Sequence, residues 1–268
     1  MSAVPRVRLE VKDLSFRYAG QESLLRGVSF TVLGEETLCL LGPNGSGKTT
    51  LLRCLLNLSR MESGSIRIDG RETHQMPRRV LARQIAWVPQ TATIMFPFSV
   101  FEIVLMGRTS HAGAFSSPSS RDRRRVTETL DQLGISRLRD RPFNQISGGE
   151  RQLTLIARAL CQDARILIMD EPAASLDYGN QIRVLQIVNT LRRSGYAIVM
   201  SAHNPDHAFL SATHAAVLSG GRIVAMGDPH SVITSESLSK LYAARIQVVT
   251  APLPGDSSAP VKVCVPLI

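Results

Sequence analysis

Eight consecutive residues, Gly42-Pro43-Asn44-Gly45-Ser46-Gly47-Lys48-Thr49, fit the spacing G-x-x-x-x-G-K-[ST]. Its glycines let backbone N–H groups close around phosphate oxygens, and a helix starting near Lys48 adds the positive end of its dipole. In such a loop Lys48 meets the β- and γ-phosphate oxygens and the Thr49 hydroxyl ligates Mg²⁺. At average residue frequencies the pattern arises by chance in about one chain in a hundred of this length, so context has to decide. Here it stands between the apolar run "ETLCLLG" (36–42) and a helical pattern, which is the strand–turn–helix order a phosphate loop needs.

Four further polar groups are placed to join it. Asp170 and Glu171 close the buried run "RILIMDE" (165–171), and a carboxylate at the C-terminal end of a parallel strand points into the crevice where ligands bind. Asp170 is placed to hold Mg²⁺, directly or through water, and Glu171 to polarise an attacking water. His203 ends "YAIVMSAH" (196–203) at the same edge, where a ring N–H can be aimed at a γ-phosphate. Gln90, in "AWVPQ", stands where the core gives way to a separate lobe, and its amide can meet both Mg²⁺ and the water.

A second glycine turn, Ser147-Gly148-Gly149-Glu150, opens a helix about a hundred residues later. Ser147 and Glu150 have the spacing of a capping box. Capping leaves the two glycines unexplained, since each costs conformational entropy at a helix start. An anion bound at that helix N-terminus explains both.

The elements that must carry these groups follow from periodicity. Val7, Leu9 and Val11, then Val28, Phe30 and Val32, then Ile66 and Ile68 alternate like half-buried antiparallel strands. The three apolar runs named above read as strands covered on both faces, as in a parallel sheet. Helical faces follow them: Leu51, Leu52, Leu55 and Leu58; Leu153, Ile156, Ala157 and Leu160; Val184, Ile187, Val188 and Leu191, ending at Arg192, Arg193 and Gly195. Strands alternating with crossover helices predict an α/β sheet.

Residues of about 91–147 interrupt that alternation as a small helical sub-lobe. Ser99 and Glu102 form a capping box for a helix to about Met106, the Gly/Ser/Pro-rich "AGAFSSPSS" follows, and a helix over roughly 121–133 stops at Gly134. Gly220-Gly221 predicts a hairpin, and "RIQVV" and "VKVCV" within 245–268 predict β pieces joined by "TAPLPGDSSAP".

Composition excludes more than it assigns. The chain has 268 residues, 44% hydrophobic and 20% charged, with no apolar run of membrane-spanning length. "MSAVPRVRLE" lacks the apolar stretch of a secretory signal, which predicts a cytosolic chain. Cys39, Cys54, Cys161 and Cys264 form no C-x-x-C pair and read as reduced, buried thiols. The net charge of +9 is carried mostly by arginine, with clusters at Arg78-Arg79, Arg121–Arg125 and Arg137–Arg141. It is compatible with nucleic acid, anionic lipid or nucleotide and decides nothing alone.

In this order and spacing the motifs resemble those of the ATP-binding subunits of ABC transporters, over about residues 1–244. The resemblance implies a P-loop ABC-type ATPase with a parallel-sheet core, an N-terminal antiparallel β layer and the helical sub-lobe, followed by a β-like tail over 245–268. It implies an adenine-stacking role for Tyr18, and ATP contacts from Gly42, Pro43, Asn44, Gly45, Ser46, Gly47, Lys48, Thr49 and Thr50. Glu171, His203 and Gln90 would be the catalytic groups, and Thr49, Gln90 and Asp170 the Mg²⁺ ligands. In such proteins two copies pack head to tail, so Ser147, Gly148, Gly149, Glu150 and Asp177 would face the ATP of the other copy. Glu150 replaces the commoner glutamine of that turn, "SAHNP" stands where Thr-His-Asp is frequent, and Ala173 where threonine is common.

"FPFSVFEIVLMGRTSH", "LDYGNQ", "AHNPDHA" and the closing "LYAARIQVV…VKVCVPL" are similar to ATPase subunits of bacterial importers for ferric siderophores, haem and cobalamin. A related branch handles molybdate or tungstate. The implied partners are a second copy of the chain, integral membrane permease subunits and, indirectly, a soluble substrate-binding protein, with the chain peripheral on the cytoplasmic face of the membrane. The apolar stretch 94–106 would line the groove that receives the permease, or be ordinary lobe core. A nucleic-acid ATPase of this family normally carries tandem nucleotide domains or a long coiled-coil insert, and neither is visible here, so no nucleic acid is expected.

Overall fold

The computed structural model describes residues 7–92, 96–111, 117–252 and 261–268. The first six residues, part of "AGAFSSPSS" and most of the "TAPLPGDSSAP" connection lie outside the described residues.

An antiparallel sheet runs in the order β2 (Ser23–Leu33), β1 (Arg8–Arg17), β4 (Ser63–Ile68), β5 (Arg71–Glu72). The alternation at Val7, Leu9 and Val11 puts these side chains in one apolar cluster with Val28, Phe30, Val32, Ile66 and Ile68. A second sheet has the order β10 (Arg222–Gly227), β9 (His214–Ser219), β3 (Thr37–Leu41), β8 (Ala197–Ala202), β7 (Ile166–Met169), β6 (Ile85–Val88). All its pairs are parallel except β9–β10. β3, β7 and β8 are buried along their whole length, which is why their sequences are unbroken apolar runs. Gly220 and Gly221 make the β9–β10 turn with both φ angles positive, at 54° and 76°.

Helices follow the strands: α1 (Lys48–Leu55) after β3, α2 (Arg78–Leu81) before β6, α6 (Tyr178–Arg193) after β7, and α7 (Asp206–Ser211) after β8. α1 ends earlier than its apolar spacing predicts. Asn57 takes a left-handed φ of 53°, Leu58 N–H returns to the Arg53 carbonyl, and the Leu58 side chain is exposed.

Between β6 and β7 stand α3 (Val100–Leu105), α4 (Ser120–Gln132) and α5 (Gly148–Leu160), packed on one another. Ser99 with Glu102 and Ser119 with Asp122 form complete capping boxes at α3 and α4, and Gly134 stops the latter at φ 65°. The stretch 94–106 divides: Val100, Phe101, Ile103 and Val104 are core, Phe96 and Met106 are exposed, and 93–95 lie outside the described residues.

After β10 come α8 (Pro229–Val232), α9 (Ser235–Tyr242) and an antiparallel pair, β11 (Ile246–Ala251) and β12 (Val261–Pro266). Cys39, Cys54 and Cys161 are buried thiols, whereas Cys264 on the two-stranded β12 is only half-buried.

Candidate functional site

β3 runs into the 42–47 loop and the loop into α1. Two of its glycines turn left-handed, Gly45 at φ 76° and Gly47 at φ 100°. At Gly42 a Cβ would lie 2.5 Å from the Leu218 carbonyl oxygen, so only glycine passes there. The Lys48 side chain folds back, donating to the carbonyls of Gly42 at 2.7 Å and Pro43 at 3.3 Å. Burial pulls its pKa down, while Glu171 and Asp170 oppose that shift. Ser46 Oγ is buried without a hydrogen-bond partner among the described residues. An orphaned hydroxyl, a glycine cradle and a buried ammonium fit a polyanionic phosphate chain.

Parallel pairing of β7 between β6 and β8 sets the acidic edge beside this loop. The Asp170 carboxylate accepts from Thr49 Oγ1 at 3.2 Å and from Ser201 Oγ at 2.8 Å. One carboxylate and one hydroxyl fit Mg²⁺, which keeps water and phosphate ligands, better than a metal that needs an all-protein cage. No cluster of three or more His, Cys, Asp or Glu suited to a metal occurs among the described residues.

Glu171 follows in a left-handed conformation, φ 48°, unusual for a residue with a side chain. Its backbone N–H donates to Ser201 Oγ at 2.9 Å. Gln90 Nε2 donates to Glu171 Oε2 at 3.0 Å, His203 Nε2 lies 2.9 Å from Oε1, and Lys48 Nζ lies 3.9 Å from Oε1. Burial raises the Glu171 pKa, with His203 and Lys48 acting against it and Asp170 with it. Such a carboxyl is tuned toward proton transfer nearer neutrality. A cavity of about 310 Å³ opens on this face, lined by Gln90, Glu171, Ala173, Ser175, Ser201 and His203 among others.

The Gln90 amide is thus on the carboxylate; among the described residues it makes no hydrogen bond to Thr49 or Asp170. Ser201, which ties Asp170 to Glu171, was not singled out from the sequence. The signal was a hydroxyl inside the otherwise apolar "AIVMSA". Tyr18 lies beside the loop, its ring edge-on to Phe16 at 4.9 Å and its hydroxyl 3.3 Å from Thr50 Oγ1. The ring is exposed enough to present a face.

The second glycine turn stands apart, with no hydrogen bond to the phosphate loop among the described residues. Ser147 and Glu150 close the expected capping box on α5, and Glu150 also pairs with Arg137 at 2.6 Å. The backbone N–H of Ser147, with Arg137, holds the Glu150 carboxyl below its ordinary range. The two glycines differ. A Cβ on Gly149 would lie 2.5 Å from Asn180 Cγ, so any larger residue there has to displace the Asn180 amide, and packing within the chain already favours that glycine. A Cβ on Gly148 would meet nothing nearer than Leu176 Cδ2 at 3.9 Å. An approaching anion is therefore needed to explain only Gly148. Asp177 caps α6, accepting from Asn180 N at 2.9 Å and Asn180 Nδ2 at 2.6 Å, and so shares this corner with α5.

The profile of the ABC transporter family matches residues 25–174, more than half of the chain. An uncharacterized ABC transporter ATP-binding protein of Haemophilus influenzae is 39% identical over 234 residues, 87% of this chain and 89% of the relative. The ferric enterobactin transport ATP-binding protein of Escherichia coli K12 is 32% identical over 249 residues, 92% of each chain. A solved chain from a metal-chelate type ABC transporter in an inward-facing conformation superposes with TM-score 0.87 at 30% identity, covering 99% of this chain and 98% of the other. With the phosphate loop, the acidic strand edge and the capped glycine turn in one α/β frame, this chain belongs to the ABC transporter family and is its ATP-hydrolysing, ATP-binding subunit.

Proposed function

We propose that the chain powers a bacterial importer for a metal chelate, a ferric siderophore, haem or cobalamin. The observation that carries its chemistry is the convergence of Gln90, His203 and Lys48 on Glu171 at the C-terminal edge of the parallel sheet. The cargo assignment leans on the relatives' transport of such cargo and on the metal-chelate type neighbour, which covers 99% of this chain.

In this reading Gly42 to Thr50 hold the phosphates of ATP through backbone N–H groups, Lys48 and the two threonine hydroxyls, and Tyr18 faces the adenine. Thr49, Asp170 and the Gln90 amide would hold Mg²⁺, which would supply positive charge against the phosphate oxygens. Glu171 takes the proton of the attacking water, and the His203 ring N–H steadies the γ-phosphate oxygens. Ser147, Gly148, Gly149, Glu150 and Asp177 serve the nucleotide of a second, head-to-tail copy. That division of labour accounts for a glycine turn whose first glycine nothing inside the chain requires.

The chain sits on the cytoplasmic face of the membrane, held there by the permease subunits. A cavity of about 1120 Å³ between the sheet core and the helical lobe, lined by Leu58, Met61, Met76, Trp87, Met106 and Arg158 among others, is their docking groove. Its exposed apolar residues have no other evident use. A soluble binding protein delivers the cargo, and no nucleic acid takes part.

Uptake of labelled ferric chelate, cobalamin and molybdate into cells lacking the gene tests this reading. Restoration of a chelate by wild type, and not by Glu171→Gln, is expected. Restoration of molybdate alone overturns the cargo assignment. Purified Glu171→Gln should bind ATP and hydrolyse it very slowly, whereas Lys48→Ala should lose ATP binding; normal turnover in the first removes Glu171 as base.

A further inference from the structure

The turn that carries His203 is short. It joins β8 to α7 through His203, Asn204 and Pro205; Asp206 N–H donates to Asn204 Oδ1 at 2.9 Å, His207 N–H to the Asn204 carbonyl at 3.2 Å and Ala208 N–H to the Pro205 carbonyl at 3.0 Å, which leaves His203 itself outside these bonds. The His203 side chain is 44% exposed, so packing does not aim it, and its polar contact is Glu171.

Two hydrogen bonds reach this turn from the last part of the chain. The Tyr242 hydroxyl, at the end of α9, donates to the His203 carbonyl at 3.4 Å. The Cys264 backbone N–H, in β12, donates to Asp206 Oδ1 at 2.9 Å. These donors belong to one body. Ser239 Oγ both donates to the Ile246 carbonyl and accepts from its N–H, and Val248 N–H donates to Ser235 Oγ, which clips β11 to α9. β11 pairs with β12 from Ile246↔Pro266 to Ala251↔Val261. Lys262 Nζ adds a bond to the His230 carbonyl, whose ring stacks on Phe209 of α7 at 5.1 Å. Tyr242, Ile246, Val248 and Cys264 also pack on the main apolar cluster, which holds the body rigid against the sheet.

We propose that the C-terminal hairpin is a positioning element for hydrolysis: through Asp206 and Tyr242 it grips both ends of the 203–206 turn and keeps the His203 imidazole at Glu171. The inference rests on the roles proposed above for His203 and Glu171. It gives the tail a task in turnover. Asp206 and Tyr242 act through His203 and touch no reacting atom. Burial pushes the Tyr242 hydroxyl up to about 12, so it stays a donor through the working range of pH.

The test uses the purified full-length chain and reads maximal turnover, half-saturation by ATP and thermal midpoint for Asp206→Ala, Asp206→Asn, Tyr242→Phe, His203→Ala and the His203→Ala/Asp206→Ala double variant. Losing one such hydrogen bond should slow turnover by about 2–10-fold in Asp206→Ala. Half-saturation should stay within about twofold, because the phosphate loop is untouched. Asp206→Asn keeps the acceptor for Cys264 N–H and should recover wild-type turnover. The double variant should be no slower than His203→Ala, since the effect travels through that side chain. Wild-type turnover in Asp206→Ala, failed recovery in Asp206→Asn, or a loss that adds to that of His203→Ala overturns the proposal. Should Asp206→Ala fail to fold, Tyr242→Phe carries the same comparison, and unchanged turnover in it overturns the proposal equally. Glu171→Gln, run alongside, separates the two readings: its full activity refutes the catalytic assignment, while its inactivity beside a wild-type Asp206→Ala refutes the positioning role alone.

Discussion

Gly148→Ala adds one methyl group at the first residue of α5, in a place where the chain itself leaves room. The nearest heavy atom to the new Cβ is Leu176 Cδ2 at 3.9 Å, ordinary van der Waals contact, and Gly148 has no positive φ that would strain an alanine. The fold should therefore gain. Removing a helical glycine is worth up to ~1 kcal/mol, and roughly half of that in a first turn. For a chain of this size about 0.5 kcal/mol raises the thermal midpoint by about 1–2 °C. Turnover should move the other way. In the head-to-tail pair proposed above, the Gly148 amide would come within hydrogen-bond distance of the other copy's phosphate, and a methyl group would hold it off. Misplacing a reacting group by about 1 Å costs on the order of 100-fold, so a loss of at least about tenfold is expected. ATP affinity of the isolated chain should not change, because its own phosphate loop is intact. Calorimetry and steady-state ATP hydrolysis on the same sample measure both. A variant that is more stable and fully active refutes the reasoning, since Gly148 would then face nothing.

Gly149→Ala should behave differently: its Cβ would press to 2.5 Å from Asn180 Cγ and displace the amide from Asp177, and overpacking of this kind costs about 1–3 kcal/mol against a helix gain of up to ~1 kcal/mol. Chemical denaturation should show a net loss of about 1 kcal/mol; a midpoint at or above wild type would sink the packing account. Glu171→Gln should stabilise the chain as pH rises. Burial raises the folded pKa above the unfolded 4.5, so the cost of ionising Glu171 is absent below that value and complete once pH exceeds the folded one. The variant's advantage in thermal midpoint should thus grow as pH rises above 4.5 toward the raised folded pKa, and a shrinking gap would contradict the buried-carboxyl reading. Asp122, hydrogen-bonded by Ser119 and Arg108, is held from 3.8 down to about 2, so it stabilises above 3.8 and that contribution fades as pH falls toward 2. Asp122→Ala should cost about 2–4 kcal/mol at neutral pH by removing both the α4 capping box and a partner of the buried Arg108, and unchanged urea stability would refute it.

The site was legible where one local rule sufficed. The phosphate loop needs glycines, a lysine and a hydroxyl at one spacing, and Gly45, Gly47, Lys48 and Thr49 sit where that spacing puts them. Capping boxes at Ser99 and Ser147 are equally local, and both form; the one at Ser119 with Asp122 was not read from the sequence. Leu58 misled because periodicity carries no stop signal, and the left-handed turn at Asn57 ended the helix first. Ser201 escaped notice because its task, bridging Asp170 to Glu171, exists only once β7 and β8 lie side by side.

By itself the sequence determined the fold class, the phosphate loop, the acidic strand end and the glycine turn, since each is set by residues a few positions apart. Tertiary structure alone decided which of these meet. Parallel pairing of β6, β7 and β8 brings Gln90 and His203 onto Glu171 from positions 81 and 32 residues away, and the packing of Tyr242 and Cys264 on the main apolar cluster brings the end of the chain onto the His203 turn. It also assigned the two glycines different reasons, because the space around them depends on Leu176 and on Asn180 of α6, some thirty residues further along the chain. Spacing encodes what one turn can do, whereas a site built from several strand ends depends on packing that no single stretch of sequence contains.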